Sequence, residues 1–290
     1  MALKTKVLLD GLDFPEGPRW HDGKLWFSDM DRGLVMTVDL NGKTDLIVKA
    51  RAETSGLGWL PDGTLLVVLM ADRRLLRLKA GELLEVADLS GLASFMANDM
   101  VVDAHGSAYI GHFGFAFMDL TIAPHPAEII LVTPAGDARI VADEMAFPNG
   151  MVITPDGRTL IVAESLAARL TAFDIASDGS LARRRVWAEF DDLGFRPYDP
   201  TRVFPDGICL DAAGAIWMAS PGGGGEVLRV LEGGEITDRV AVERQPFAAM
   251  LGGPDRRTLF VCTSRMGESF TPGIGRIETV HVETPGAGLP

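Results

Sequence analysis

Six times along the chain, an apolar run of strand length is followed by a short polar turn and a second apolar run. The copies read EGPRWHDGKLWFSDM from Glu16, SGLGWLPDGTLLVVLM from Ser55, NDMVVDAHGSAYIGHF from Asn98, NGMVITPDGRTLIVAES from Asn149, DGICLDAAGAIWMAS from Asp206 and AAMLGGPDRRTLFVCTS from Ala248. In five copies the leading residue stands seven positions before the turn residue, and the first copy is one residue shorter. Asp-Gly fills the turn at Asp22, Asp62 and Asp156, a pair whose tolerance of positive φ suits a tight hairpin. Further strand-like runs follow, such as VMTVDL, LLRLKA, EIILVT, RLTAFDI and EVLRVL, while long stretches of helical period are absent. The copies begin roughly 40–57 residues apart, which is the length of four short strands and their turns. The expected fold is therefore all-β: a six-bladed β-propeller with four-stranded antiparallel blades. A solenoid or a pair of sandwiches has no need of the same unit six times. Residues Lys4–Asp10 precede the first copy as an orphan strand. They are expected to pair with the last blade beside Arg276–Val282, closing the ring and hiding both sheet edges. The whole chain, 1–290, reads as one domain without a linker.

Composition narrows the partners. The 33 glycines and 17 prolines fit a turn-rich chain, and 40 acidic against 27 basic residues give a net charge of −13. That charge disfavours a phosphate backbone, so no nucleic acid is expected. No window approaches the roughly 18–20 apolar residues of a membrane helix. The apolar run near the N-terminus is too short for a secretory signal core. A cytoplasmic protein, monomeric or weakly homo-oligomeric, with a small-molecule partner and no membrane contact is the expectation. Cys209 and Cys262 sit in apolar stretches and read as buried free thiols.

In a propeller the innermost strands line a central channel, so equivalent residues of all blades meet on the axis. Here those residues are Glu16, Ser55, Asn98, Asn149, Asp206 and Ala248. Three lie in a common frame, FPEG, FPNG and FPDG, in which only the oxygen-bearing residue changes. Pro and Gly fix and bend the backbone on either side of it. Carboxylate and amide oxygens suit a hard divalent cation, and one cation would relieve the repulsion between Glu16 and Asp206 on the axis. The competing reading is that Glu, Asn and Asp are turn formers bonded to local backbone. Asn98 lacks the Phe-Pro frame, and its neighbour Asp99 equally suits a strand-end turn. The five histidines show no metal-ligand spacing.

LDFPEGPRW near the N-terminus, the Asn98–Asp99 pair, FPNGMVITPDGRTLIVAES and FPDGICLDAAGAIWMA, in this order, resemble the senescence-marker-protein/gluconolactonase family, which includes luciferin-regenerating-type proteins. The resemblance spans nearly the whole chain. It implies a six-bladed propeller with one divalent ion near the axis, Ca²⁺ foremost and Mn²⁺, Zn²⁺ or Mg²⁺ as alternatives. It implies Glu16, Asn149 and Asp206 as metal ligands, with Asp206 also the base. Asn98 is implied as a fourth polar group toward water or substrate. Sugar-lactonase members carry Arg-x-Asn-Asp at the third copy, whereas this chain reads Met96-Ala97-Asn98-Asp99. The following stretch, GHFGFAFMDL, offers Phe113, Phe115, Phe117 and Met118 where a polyol binder would want charged groups. This stretch either covers the channel mouth or packs against the propeller face.

The expected function is divalent-metal-dependent hydrolysis of a lactone less polar than a sugar lactone. Asp206 would act as base and Asn98 would fix water or the developing oxyanion. Met96, Asn98, His112 and Phe113 are the candidate substrate contacts, although packing is the commoner fate of a histidine such as His112. A phosphotriester or aryl-ester hydrolase with the same site is an alternative, and a non-catalytic calcium-binding propeller is another. No GxSxG motif supports a serine hydrolase. The insertion GFRPYDPTR, with Tyr198, Asp199 and Arg202, reads as surface.

Overall fold

A computed structural model describes residues 3–119, 121–266 and 272–287. Its sheets are arranged as six blades around an axis, nearly all-β, with short 3₁₀ turns at Met30–Arg32 and Ser165–Ala167. Blade one holds the strands Pro15–His21, Lys24–Asp29, Leu34–Val38 and Thr44–Lys49 from the inside outward. Blades two, three and four repeat this order from Thr54–Trp59, Ala97–Val102 and Pro148–Ile153. Blade five begins at Ile208–Leu210, and blade six at Gln245–Gly252.

Closure follows the expected route and goes one step further. Lys6–Leu12 pairs antiparallel with Gly275–His281 as the outer strand of blade six. Upstream, Leu3–Lys4 pairs parallel with Ile236–Ala241 of blade five. The N-terminal segment thus caps two sheet edges, where unpaired N–H and C=O groups would otherwise face solvent. Among the described residues no helix is long and apolar enough to cross a membrane.

The burial pattern explains why the strands read as they do. Second strands such as Leu65–Leu69 and Ile216–Ser220 are buried at every residue, since blades cover both their faces. Outer strands such as Glu82–Asp88 and Leu181–Glu189 are largely exposed. The apolar layers lie between neighbouring blades. Leu66, Val68 and Leu75 meet Met100, Ile110 and Ile130, and Val101, Tyr109 and Ile129 meet Met151, Leu160 and Phe173. Cys209 and Cys262 are buried free thiols in the layer shared by blades five, six and one.

The Asp-Gly turns differ in detail from the expectation. Only the shortened first copy has both residues at positive φ, Asp22 at 48° and Gly23 at 74°. At the other two turns Gly alone is left-handed. There Asp62 and Asp156 accept the backbone N–H two residues on, from Thr64 and Arg158.

Candidate active site

Five of the six leading residues stand at or within a register break of the inner strand, and the sixth, Asp206, stands just before the strand Ile208–Leu210. Irregularities fall between Glu16 and Arg19, Thr54 and Leu57, Ala97 and Met100, Pro148 and Met151, and Pro246 and Ala248. A bulge of this kind bends the strand and re-aims a side chain. The glycine that follows has a second purpose. A Cβ on Gly150 would lie 2.6 Å from the Ile208 nitrogen, and one on Gly207 would lie 2.4 Å from the Ala248 Cβ. Glycine after the oxygen-bearing residue therefore lets the next blade's inner strand close on the axis. Only Gly17 in the FP-x-G frames also needs positive φ, at 55°.

The three frames share an anchor that the sequence did not disclose. The backbone N–H beside each Phe-Pro is held by the last side chain of that blade's second strand. Asp29 Oδ1 accepts from the Asp13 and Phe14 nitrogens at 3.0 and 2.9 Å. Glu164 Oε2 accepts from Ala146 N at 2.7 Å, and the Ser220 hydroxyl accepts from Phe204 N at 3.0 Å. Glu164 is fully buried and is also held by Arg169, Arg184 and Thr171. Burial alone would raise its carboxyl, but Arg169, the Ala146 N–H and the Thr171 hydroxyl outweigh that and hold it below the usual range. Phe147, next to this anchor, sits at φ 62°, a strained region for a residue with a side chain. Its ring is fixed by stacking on Phe113 at 4.6 Å and by edge contact with Phe117 at 4.9 Å.

A ring of polar groups circles the channel floor. The Ser55 hydroxyl donates to Asn98 Oδ1 at 3.2 Å, and Asn98 Nδ2 donates to Asn149 Oδ1 at 3.1 Å. Asn149 Nδ2 donates to the Ser165 hydroxyl at 3.2 Å, which donates to the Pro205 carbonyl at 2.6 Å. Beneath them Arg19 donates to Asp99 Oδ1 at 2.7 Å and to the Met100 and Leu57 carbonyls. Asn98 and Asn149 are 7% exposed, and Asp206 is 5% exposed.

Glu16 and Asp206 are the unmet charges of this floor. Burial, then the Asp99 charge, pushes Glu16 up to about 8, against the Gly17 N–H bond and Arg19. Glu16 is densely surrounded, yet solvent touches it through the mouth. Burial, then Glu16 and Asp99, raises Asp206. Arg19 offsets only part of this for Glu16, because its own ion pair is made with Asp99. Two oxygen anions with no cation between them, beside an amide oxygen with a second lone pair, fit a hard divalent ion. Among the described residues no three His, Cys, Asp or Glu side chains form a metal cluster, so an ion here would need the Asn149 amide.

A cavity of about 340 Å³ opens above the floor, lined by Glu16, Asn98, Asn149 and Asp206 together. Met96 and Phe113 line it as well, so six of the seven candidate residues meet at one place. His112 does not. It is 0% exposed at the end of its strand, its Nδ1 accepting from Gly114 N at 3.1 Å and its Nε2 lying 2.8 Å from Glu128. The histidine braces the start of the phenylalanine loop and does not line the cavity. That loop covers the mouth: Phe113, Ala116, Phe117 and Met118 form part of the lining, with Phe147 and Phe204. The insertion is more than surface, because the Tyr198 ring packs edge-on against Phe204 at 5.1 Å. Arg202 of the same insertion is held by Asp191 at 2.7 Å.

Residues 14–265 match the model of the SMP-30/Gluconolactonase/LRE-like region. A 6-deoxy-6-sulfogluconolactonase of Pseudomonas putida is 28% identical over 56% of this chain, which spans 55% of that protein's length. A pentonolactonase of Haloferax volcanii is 26% identical over 90% of this chain and 84% of its own. Among solved structures, a calcium-binding regucalcin of Agrobacterium tumefaciens superposes with a TM-score of 0.81 at 21% identity, covering 100% of this chain and 98% of its own.

Proposed function

The chain belongs to the SMP-30/gluconolactonase/LRE-like family, and on that premise we propose that it hydrolyses lactones, with a divalent ion, Ca²⁺ foremost, held by Glu16, Asn149 and Asp206. The observation that carries this reading is the cavity itself, where four axial oxygen-bearing side chains stand beneath an aromatic wall. Two relatives are named as lactonases of sugar acids. The lining supports a less polar ring, since Met96 and seven phenylalanines stand where hydroxyl groups of a sugar would need partners.

The ion would supply Lewis acidity at the lactone carbonyl oxygen. The residues divide the remaining work. The Asp206 carboxylate takes a proton from water as that water adds to the acyl carbon. It returns a proton to the ring oxygen as the acyl–oxygen bond breaks, giving the hydroxy acid. Asn98 has a second amide N–H beyond the one given to Asn149, and this donor steadies the developing oxyanion. Phe113, Phe117 and Phe147 exclude bulk water, which strengthens each of these interactions.

The test is a panel of sugar, alkyl and aryl lactones, assayed after EDTA and after adding back Ca²⁺, Mn²⁺, Zn²⁺ or Mg²⁺. Metal-restored turnover favouring alkyl or aryl lactones is expected. Absence of lactone turnover with every metal refutes the reading and directs the search to phosphotriesters.

A further inference from the structure

Apart from its axial floor, the cavity carries two acidic groups and is otherwise lined by phenylalanine, methionine and alanine. Asp31 and Glu53 line it from blades one and two, where the turn Met30–Arg32 packs against the strand Thr54–Trp59. Phe95, Phe113, Phe117, Phe147 and Phe204 line it from blades three to five, and Phe14 and Phe247 from blades one and six. Among the described residues no Lys, Arg or His lines it. Arg32, the nearest cation in sequence, is engaged by Asp13 at 2.5 Å and by Asp29 at 3.4 Å. Asp31 and Glu53 are left without an ion-pair partner among the described residues.

Glu16 and Asp206 are accounted for by the proposed ion, whereas Asp31 and Glu53 are not. Partial burial, then the charges of Asp13, Asp29 and Glu53, pushes the Asp31 carboxyl up to about 6. A positive charge brought into the mouth relieves this crowding. The aromatic wall works in the same direction, because the face of a phenyl ring attracts a cation. A phosphate or carboxylate placed at the rim meets repulsion from Asp31 and Glu53 and finds no Lys, Arg or His among the described lining residues.

Resting on the lactonase reading for its chemistry, we infer that the substrate is a lactone bearing a cationic amine, its ammonium or quaternary nitrogen held between the Asp31–Glu53 side and the phenylalanine wall. The ester is presented to Asp206 and Asn98 at the floor while the cation stays at the rim. One pocket then binds an apolar skeleton and a charge that a sugar-lactone site would not select.

The experiment uses calcium-loaded protein and two lactones of one shape, one carrying a trimethylammonio group and the other the neutral tert-butyl group in its place. The permanent charge keeps the comparison free of ligand titration. The cationic lactone is expected to show kcat/KM about tenfold higher, and Asp31→Asn with Glu53→Gln should collapse that ratio toward one through KM. Equal turnover, or preference for the tert-butyl lactone, overturns the inference and leaves the lactonase reading intact. If neither lactone is turned over, calorimetry with choline and its neutral isostere 3,3-dimethyl-1-butanol decides the matter separately. Choline binding about tenfold tighter, and weakened in the double variant, supports a cation site; equal binding, or none, overturns it.

Discussion

If the proposed ion is held at the axis, removing divalent cations should make the folded protein sensitive to pH in a direction opposite to that of most carboxylate-rich proteins. Glu16 and Asp206 lie within each other's field, and Arg19 is engaged elsewhere, so in the metal-free protein both are driven toward their neutral forms. A carboxyl raised in the folded state binds its proton more tightly there than in the unfolded chain. Its contribution to stability is fully present below the unfolded pKa and is lost as pH rises through the folded one. For Glu16 that window runs from 4.5 to about 8. The corresponding upper figure is about 5 kcal/mol. Solvent reaching Glu16 through the mouth reduces it, so a loss of about 2–4 kcal/mol is expected, a sizeable part of a domain's net stability. A divalent ion reverses the effect, because it binds the ionised pair and stabilises the folded state by mass action. The assay is urea unfolding of EDTA-treated and Ca²⁺-saturated protein between about pH 5 and pH 8, alongside Glu16→Gln/Asp206→Asn. Metal-free wild type should weaken steadily across that range. The metal-free double variant should stay nearly flat and exceed wild type at the upper end. If EDTA-treated wild type does not weaken, or weakens in parallel with the double variant, the unmet-charge argument is wrong.

Glu164→Gln removes a carboxylate buried among Arg169, Arg184, Thr171 and the Ala146 N–H. Because both arginines remain partly exposed, the cost is about 2–4 kcal/mol at neutral pH. The folded pKa of Glu164 is depressed, so this stability is present above about 4.5 and lost as pH falls through the folded value, and the gap between wild type and variant in unfolding curves should close in acid. Ca²⁺ affinity measured by calorimetry should also fall by about tenfold or more, since Ala146 anchors the loop that presents Asn149; unchanged affinity would make the anchor purely structural. Met96→Arg places a guanidinium in the cavity, and the kcat/KM ratio of a polyol lactone to an alkyl lactone should rise about tenfold. A ratio that does not move removes Met96 from specificity.

Much of the site was legible because it is built from a repeat. Three frames with one variable oxygen-bearing residue marked Glu16, Asn149 and Asp206, and the spacing of the copies added Asn98. The anchors Asp29, Glu164 and Ser220 were also within the quoted copies, at the end of each second strand. They look like ordinary strand ends until the hairpin folds back and sets them against the Phe-Pro backbone. His112 shows the reverse case: its position beside the phenylalanine loop made it a candidate, and the fold buries its ring outside the cavity lining.

The sequence alone determined the architecture and the residue types on the axis, since strand periodicity, turn residues and side-chain type are local properties that recur with each blade. Tertiary structure decided what stands around that axis. Arg19 meets Asp99 across 80 residues, and the Phe113–Met118 loop joins Phe147 and the separate Tyr198–Phe204 segment in one cluster. Those contacts decide which charges are neutralised and which are left facing the cavity. They depend on ring closure, which brings the inner strands together at glycines with no room for a Cβ, and no local pattern encodes that distance.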